Sequence, residues 1–143
     1  MFHLGPVLVS FVLSLVSPAA RSIDRAFLDG EAAVLASLIR PGSYINVSFS
    51  RPVAFSDLLS REQAVLWFRK LFRIHRTTGF YPDVPHLEHG AVIYKARWEV
   101  ETPDRRTLAF DVFFLLRLKF SGASPPAGAS GSCFLLQVRA EQR

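Results

Sequence analysis

Among the ionisable side chains of this 143-residue chain, Asp111 stands out because it interrupts an otherwise apolar stretch. A carboxylate there acts as a desolvated general base if it faces a substrate, or as half of an ion pair if it meets Arg97 or Arg117. His75 falls on the apolar side of a helical pattern, where an imidazole is either a proton carrier or a hydrogen-bonded core or rim residue. The two are the candidates for an acid–base pair, but no catalytic role is assigned, because position in the chain does not set the distance between them. Tyr44, Trp67, Tyr81 and Trp98, with His75, are the candidate lining of an apolar pocket. His86, Glu88 and His89 carry metal-ligand chemistry, yet in extended chain His89 points away from the other two and no fourth ligand is at hand. No metal is expected. No Gly-rich phosphate loop or nucleophile elbow is found, so no cofactor is expected either. Cys133 is the single cysteine; it excludes an intramolecular disulfide and, in an apolar strand pattern, reads as an inert thiol.

The elements that must position these groups follow from periodicity. Ile23, Phe27 and Leu28 predict a short helix capped by Ser22 or Asp24 and interrupted at Asp29-Gly30. Val34, Leu35, Leu38 and Ile39 predict a second over residues 31–39, ended by Pro41-Gly42. Residues 44–49 alternate as a strand, with Ile45, Val47 and Phe49 on one side. Ser60-Arg61-Glu62-Gln63 is a capping box, and Ala64, Trp67, Phe68, Leu71 and His75 then share one face of the clearest helix. Arg69, Arg73 and Arg76 lie opposite, near the end where positive charge suits the helix dipole. Thr78-Gly79 and Tyr81-Pro82 break the pattern.

Three strands follow. The first, over 92–100, puts Val92, Tyr94, Ala96, Trp98 and Val100 on one face; the second, over 108–120, does so with Leu108, Phe110, Val112, Phe114, Leu116, Leu118 and Phe120. Phe134, Leu136, Val138 and Ala140 line the last, after a Ser/Pro/Gly/Ala-rich stretch, 121–132, that predicts a flexible hairpin loop. Strands adjacent in sequence usually pair, so the class is α+β: an antiparallel sheet with helices on one face. The other face carries Arg97, Phe113, Leu115 and Arg117, the mixed aromatic and basic surface of a candidate dimer contact.

Composition narrows the functional classes. A chain that is half hydrophobic, with thirteen phenylalanines, is not disordered. The net charge of +5 arises from 17 basic and 12 acidic residues spread along the chain, which describes a solvated surface and not a nucleic-acid footprint. Residues 4–16 are nearly all apolar and lead into Ser17-Pro18-Ala19-Ala20. That run is too short for stable membrane insertion but fits the core of a secretory signal cleaved after Ala19 or Ala20. No Lys or Arg precedes it, so an N-terminal strand or buried helix is the competing reading. The expected division is a signal peptide over 1–20 and one domain over 21–143, exported to the periplasm or the medium.

Several stretches carry a resemblance: Ala26-Phe27-Leu28-Asp29-Gly30-Glu31, Ser60-Arg61-Glu62-Gln63-Ala64, His89-Gly90-Ala91, Phe113-Phe114-Leu115-Leu116-Arg117 and Leu136-Gln137-Val138-Arg139. On these, residues 24–143 resemble the nuclear transport factor 2-like (cystatin-like, SnoaL-like) superfamily, and more narrowly a domain of unknown function in small exported bacterial proteins. The resemblance implies a cystatin-like cone: a curved antiparallel sheet wrapped around a long helix, with short N-terminal helices and a conical pocket. It also implies a homodimer through the sheet. It implies no activity, since this fold hosts isomerases, dehydratases, transport factors and plain binding modules. The tyrosine and aspartates of its ketosteroid-isomerase-like members have no residue-by-residue counterpart here.

Two functions lead, ahead of a third in which the arginines of the long helix bind an anionic partner. One is a non-enzymatic module that binds a small apolar ligand or a protein; the other is an isomerase- or dehydratase-like enzyme acting on a small apolar molecule, with Asp111, His75 or a tyrosine converging on a deep pocket.

Overall fold

A computed structural model of the chain describes residues 6–121 and 130–143. The elements, in order, are α1 (Pro6–Asp29), α2 (Ala32–Ala36), β1 (Tyr44–Phe49), β2 (Phe55–Ser60), α3 (Arg61–Ile74), β3 (Arg76–Pro82), β4 (His86–Glu88), β5 (Ala91–Glu101), β6 (Thr107–Ser121) and β7 (Ser130–Gln142). The strands form one curved sheet in the order β2-β1-β7-β6-β5-β3, with β4 also on β5. The class is α+β, with the helices gathered on one face. The expected antiparallel sheet is in fact mixed, because β1 and β7 run parallel and pair Val47 with Val138.

The N-terminal helix is long where short ones were expected. Val12, Val16, Ala19, Ala20, Ile23, Ala26 and Phe27 are all buried along α1, a spacing of three and four that makes one continuous stripe. Neither Ser22 nor Asp24 caps it, since the helix is already running through both. Gly30, at φ +68°, ends it in the left-handed conformation that a side chain disfavours, and the Glu31 amide donates back to the Ala26 carbonyl at 2.9 Å. α2 then covers less than the expected 31–39. The capping box of α3 forms as its residues require: the Gln63 amide donates to Ser60 Oγ at 3.2 Å, and the Ser60 amide to Gln63 Oε1 at 2.9 Å.

Alternation in β1 and β5 buries the expected rows, Ile45, Val47 and Phe49 in the one, Val92, Tyr94, Ala96, Trp98 and Val100 in the other. In β6, Phe110, Val112, Phe114, Leu116 and Leu118 are buried. β7 departs from a simple alternation. The register with β6 shifts between Leu115 and Leu116, so Leu135 and not Leu136 joins Val138 and Ala140 in the core. A bulge changes which parity of residues faces inward, and no period-two pattern crosses it.

Three strands were not expected. β2 shows little alternation in its burial, and β4 is wholly exposed. β3 contains the Thr78-Gly79 and Tyr81-Pro82 pairs read as breaks; the register with β5 shifts between Thr77 and Gly79, and β3 lies at the edge of the sheet, where proline is tolerated. The hairpin loop expected over 121–132 is shorter, since Ser121, Ser130, Gly131 and Ser132 are already paired in β6 and β7. Its residues 122–129, like residues 1–5 of the expected signal, lie outside the described residues.

Candidate functional site

The space between α1, α3 and the inner face of the sheet is filled by aromatic rings. Phe27 of α1 sits among Phe72, Phe80, Trp98 and Phe114, with ring centroids 5.0, 5.1, 5.2 and 5.3 Å away. Trp98 is fully buried, and its indole N–H donates to Thr77 Oγ1 at 2.8 Å, so its one polar atom is satisfied.

A cleft of about 470 Å³ opens where α3 faces the β1–β2 turn. Pro52, Val53 and Phe55 line it from the turn and the start of β2, and Trp67, Lys70, Leu71, Ile74 and His75 from α3 and its end. The Trp67 ring rests on Phe55 with centroids 4.6 Å apart and on Phe49 at 5.1 Å, which fixes its plane. His75 terminates α3, its amide donating to the Leu71 carbonyl at 2.8 Å. Its Nδ1 is buried without a hydrogen-bond partner among the described residues, and burial pulls the imidazole below its ordinary pKa, so it is neutral at pH 7.

No protein-family model and no curated protein matches this sequence. Solved structures do match. A DUF4783 family protein from Bacteroides uniformis superposes with a TM-score of 0.64 at 12% identity, over 86% of this chain and 95% of its own. One from Bacteroides ovatus gives 0.61 at 15%, over 85% and 93%. A nuclear transport factor 2-like protein from Cytophaga hutchinsonii gives 0.59 at 9%, over 91% and 97%.

The fold is nuclear transport factor 2-like.

Within this nuclear transport factor 2-like cone the candidate residues separate into two groups. Trp67 and His75 meet in the cleft, with Trp98 sealed beneath them, its ring 6.4 Å from His75. The other candidates face away. Tyr44 is 63% exposed, and Tyr81, 50% exposed, lies under the Arg97 guanidinium at 4.7 Å. Asp111 alternates with the buried Phe110 and Val112, which puts it on the outer face, where its carboxylate is 3.4 Å from Arg143 Nε. Asp111 and His75 therefore lie on opposite sides of the sheet and form no acid–base pair.

The outer face carries a hollow of about 380 Å³ around Ile93, Phe113, Leu115, Gln137 and Arg139. Lys95 and Arg139 approach the Phe113 ring at 5.4 and 4.7 Å. Arg117 is exposed beside it, opposite Ala91 and Phe134 in the register. Among the described residues no three of His, Cys, Asp or Glu converge as a metal site, and no helix is long and apolar enough to cross a membrane. Burial pushes the half-buried Cys133 thiol up to about 11, leaving it protonated at neutral pH.

One polar pair in the cone escaped the sequence reading. The Tyr94 hydroxyl donates to Asp24 Oδ1 at 2.6 Å, joining β5 to α1. Desolvation raises both groups above their ordinary values, the hydrogen bond offsetting part of the effect at Asp24 and adding to it at Tyr94. The available signal was Tyr94 itself, since a tyrosine in a row of buried residues needs a partner for its hydroxyl.

Proposed function

We propose that this chain is a binding module and not an enzyme, and that it takes a small apolar ligand in the cleft between α3 and the β1–β2 turn. The supporting observation is the ring-to-ring packing of Phe27, Phe72, Phe80, Trp98 and Phe114, which leaves the cleft and not a deep pocket for a ligand. The cleft's titratable groups are Lys70 and His75, and neither has a carboxylate, thiol or hydroxyl partner among the described residues. Its walls are apolar and its aromatic face is pre-set, which suits binding by burial. Ligand-observed NMR with neutral aromatic fragments tests this: Trp67→Ala is expected to weaken binding by about tenfold or more, as loss of a buried aromatic anchor does. Turnover of any bound fragment that disappears in His75→Ala would overturn the non-enzymatic reading.

A second copy of the chain is the partner proposed for the outer face. Phe113 and Leu115 supply apolar area there, while arginines (Arg97, Arg117, Arg139) and acids (Asp111, Glu141) stand on neighbouring strands, so a two-fold-related copy can match opposite charges. Sedimentation equilibrium is expected to show a dimer that Leu115→Asp dissociates; a monomer at every concentration rules the contact out.

Export is the third part of the reading, resting on the apolar run 4–16 and its exit Ser17-Pro18-Ala19-Ala20. Expressed in bacteria, the protein is expected in the periplasm or medium with residues 1–19 or 1–20 removed. A chain held in the cytoplasm at its full 16.0 kDa contradicts this.

A further inference from the structure

The cleft has a charge as well as a shape. Of its eight lining residues Lys70 alone carries a full charge at pH 7, and no acidic residue lines it. Lys70 is exposed, and no ion pair neutralises its ammonium among the described residues. Against this stands the C-terminal end of α3, whose carbonyls amount to about half a negative charge. The full charge of the Lys70 ammonium outweighs that half charge, so the cleft is a positive site with apolar walls.

His75 adds direction. Its Nδ1 is buried and partnerless, and a proton there would be a buried donor with nothing to meet. An unpaired acceptor is the cheaper arrangement, so the proton of the neutral ring belongs on Nε2. The residue is only half-buried and lines the cleft, which makes the Nε2 side the part of the ring that meets a ligand. A lysine ammonium and an imidazole N–H thus stand on one wall, and both are donors.

We propose that the cleft selects a small aromatic carboxylate, its ring against Trp67 and Phe55 and its anionic head between the Lys70 ammonium and His75 Nε2–H. This deepens the apolar-ligand reading and rests on it. The walls supply stacking and burial that any flat apolar molecule would use, and the two donors add a preference that a neutral molecule cannot satisfy.

The test compares 2-naphthoate with its uncharged near-isostere 2-naphthamide, both titrated calorimetrically into the full chain. The carboxylate is expected to bind about fivefold more tightly, the scale of a partly exposed ion pair, and to lose that advantage as salt is raised. Lys70→Met, a change at an exposed position, is expected to bring 2-naphthoate down to about the affinity of the amide and to remove the salt dependence, while the amide, which lacks the charge, loses less than the carboxylate. Equal affinities in the native chain, insensitive to salt and to Lys70→Met, would overturn the carboxylate preference while the apolar-ligand reading stands. Absence of binding by both probes would overturn the two together.

Discussion

Replacing Phe27 with alanine is expected to destabilise the domain by about 3–5 kcal/mol, a loss comparable with the whole stability of many domains. Phe27 is fully buried and holds four other rings, from α3, β3, β5 and β6, at centroid distances of 5.0 to 5.3 Å. Truncation removes the shared neighbour of all four. Trp98 and Phe114 are anchored by strand pairing and cannot move in to close the gap, so most of the cavity persists. Phe27→Leu retains much of the volume and is expected to cost less than half as much. Urea unfolding checks both: a midpoint lowered by about 2 M for the alanine variant with an unchanged slope fits the expectation, and a loss below about 1 kcal/mol contradicts it.

Tyr94→Phe is expected to cost about 1.5–3 kcal/mol at neutral pH, the range for a hydrogen bond to a charged group, and much less in acid. The sign follows from Asp24. Its folded pKa lies above the unfolded value of 3.8, so the native state holds that proton more tightly than the unfolded chain does. Asp24 therefore contributes its full stability below pH 3.8, and that contribution is lost as pH rises through the raised folded pKa. Removing the Tyr94 hydroxyl takes away the one contact that favours the ionised carboxylate, raises its pKa further and deepens the loss on the alkaline side of the window. Unfolding free energies of Tyr94→Phe and the native chain should approach each other below pH 3.8 and separate as pH rises above it. A gap independent of pH would show that the hydroxyl acts on packing and not on the carboxylate.

The parts of the fold that could be read in advance are those where one physical rule acts alone. The capping box at Ser60 needs only four consecutive residues, and the inner rows of β1 and β5 need only the two-residue period of a strand. Where a second rule intervenes, the reading slips. The Leu115/Leu116 register shift exchanges Leu136 for Leu135 in the core, a decision made by the partner strand. β2 and β3 belong to the sheet through pairing at its edges, so their sequences show little alternation. In α1, the apolar run that suggests a cleavable signal also supplies Val12 and Val16 to a helix stripe, and a hydrophobic count does not distinguish the two uses. The site followed the same division. Trp67 and His75 were placed near each other by their helix, whereas Tyr44, Tyr81 and Asp111 were assigned by residue type, and the outward parity of their strands put them elsewhere. Lys70 went unnoticed because a lysine on a helix is ordinarily solvated; only the turn opposite makes it the wall of a cleft.

The position of β7 in the sheet has a consequence in time. It lies between β1 and β6, and its partner residues on β1 are about 90 positions earlier in the chain. At about 5–20 residues per second of synthesis, the β1–β2 hairpin waits several seconds before the strand that joins it to the rest of the sheet exists. Throughout that interval the row Ile45, Val47 and Phe49 has no completed core to enter. The nascent chain then carries that apolar row uncovered, available to a holding chaperone, and closure of the cone awaits the arrival of β7.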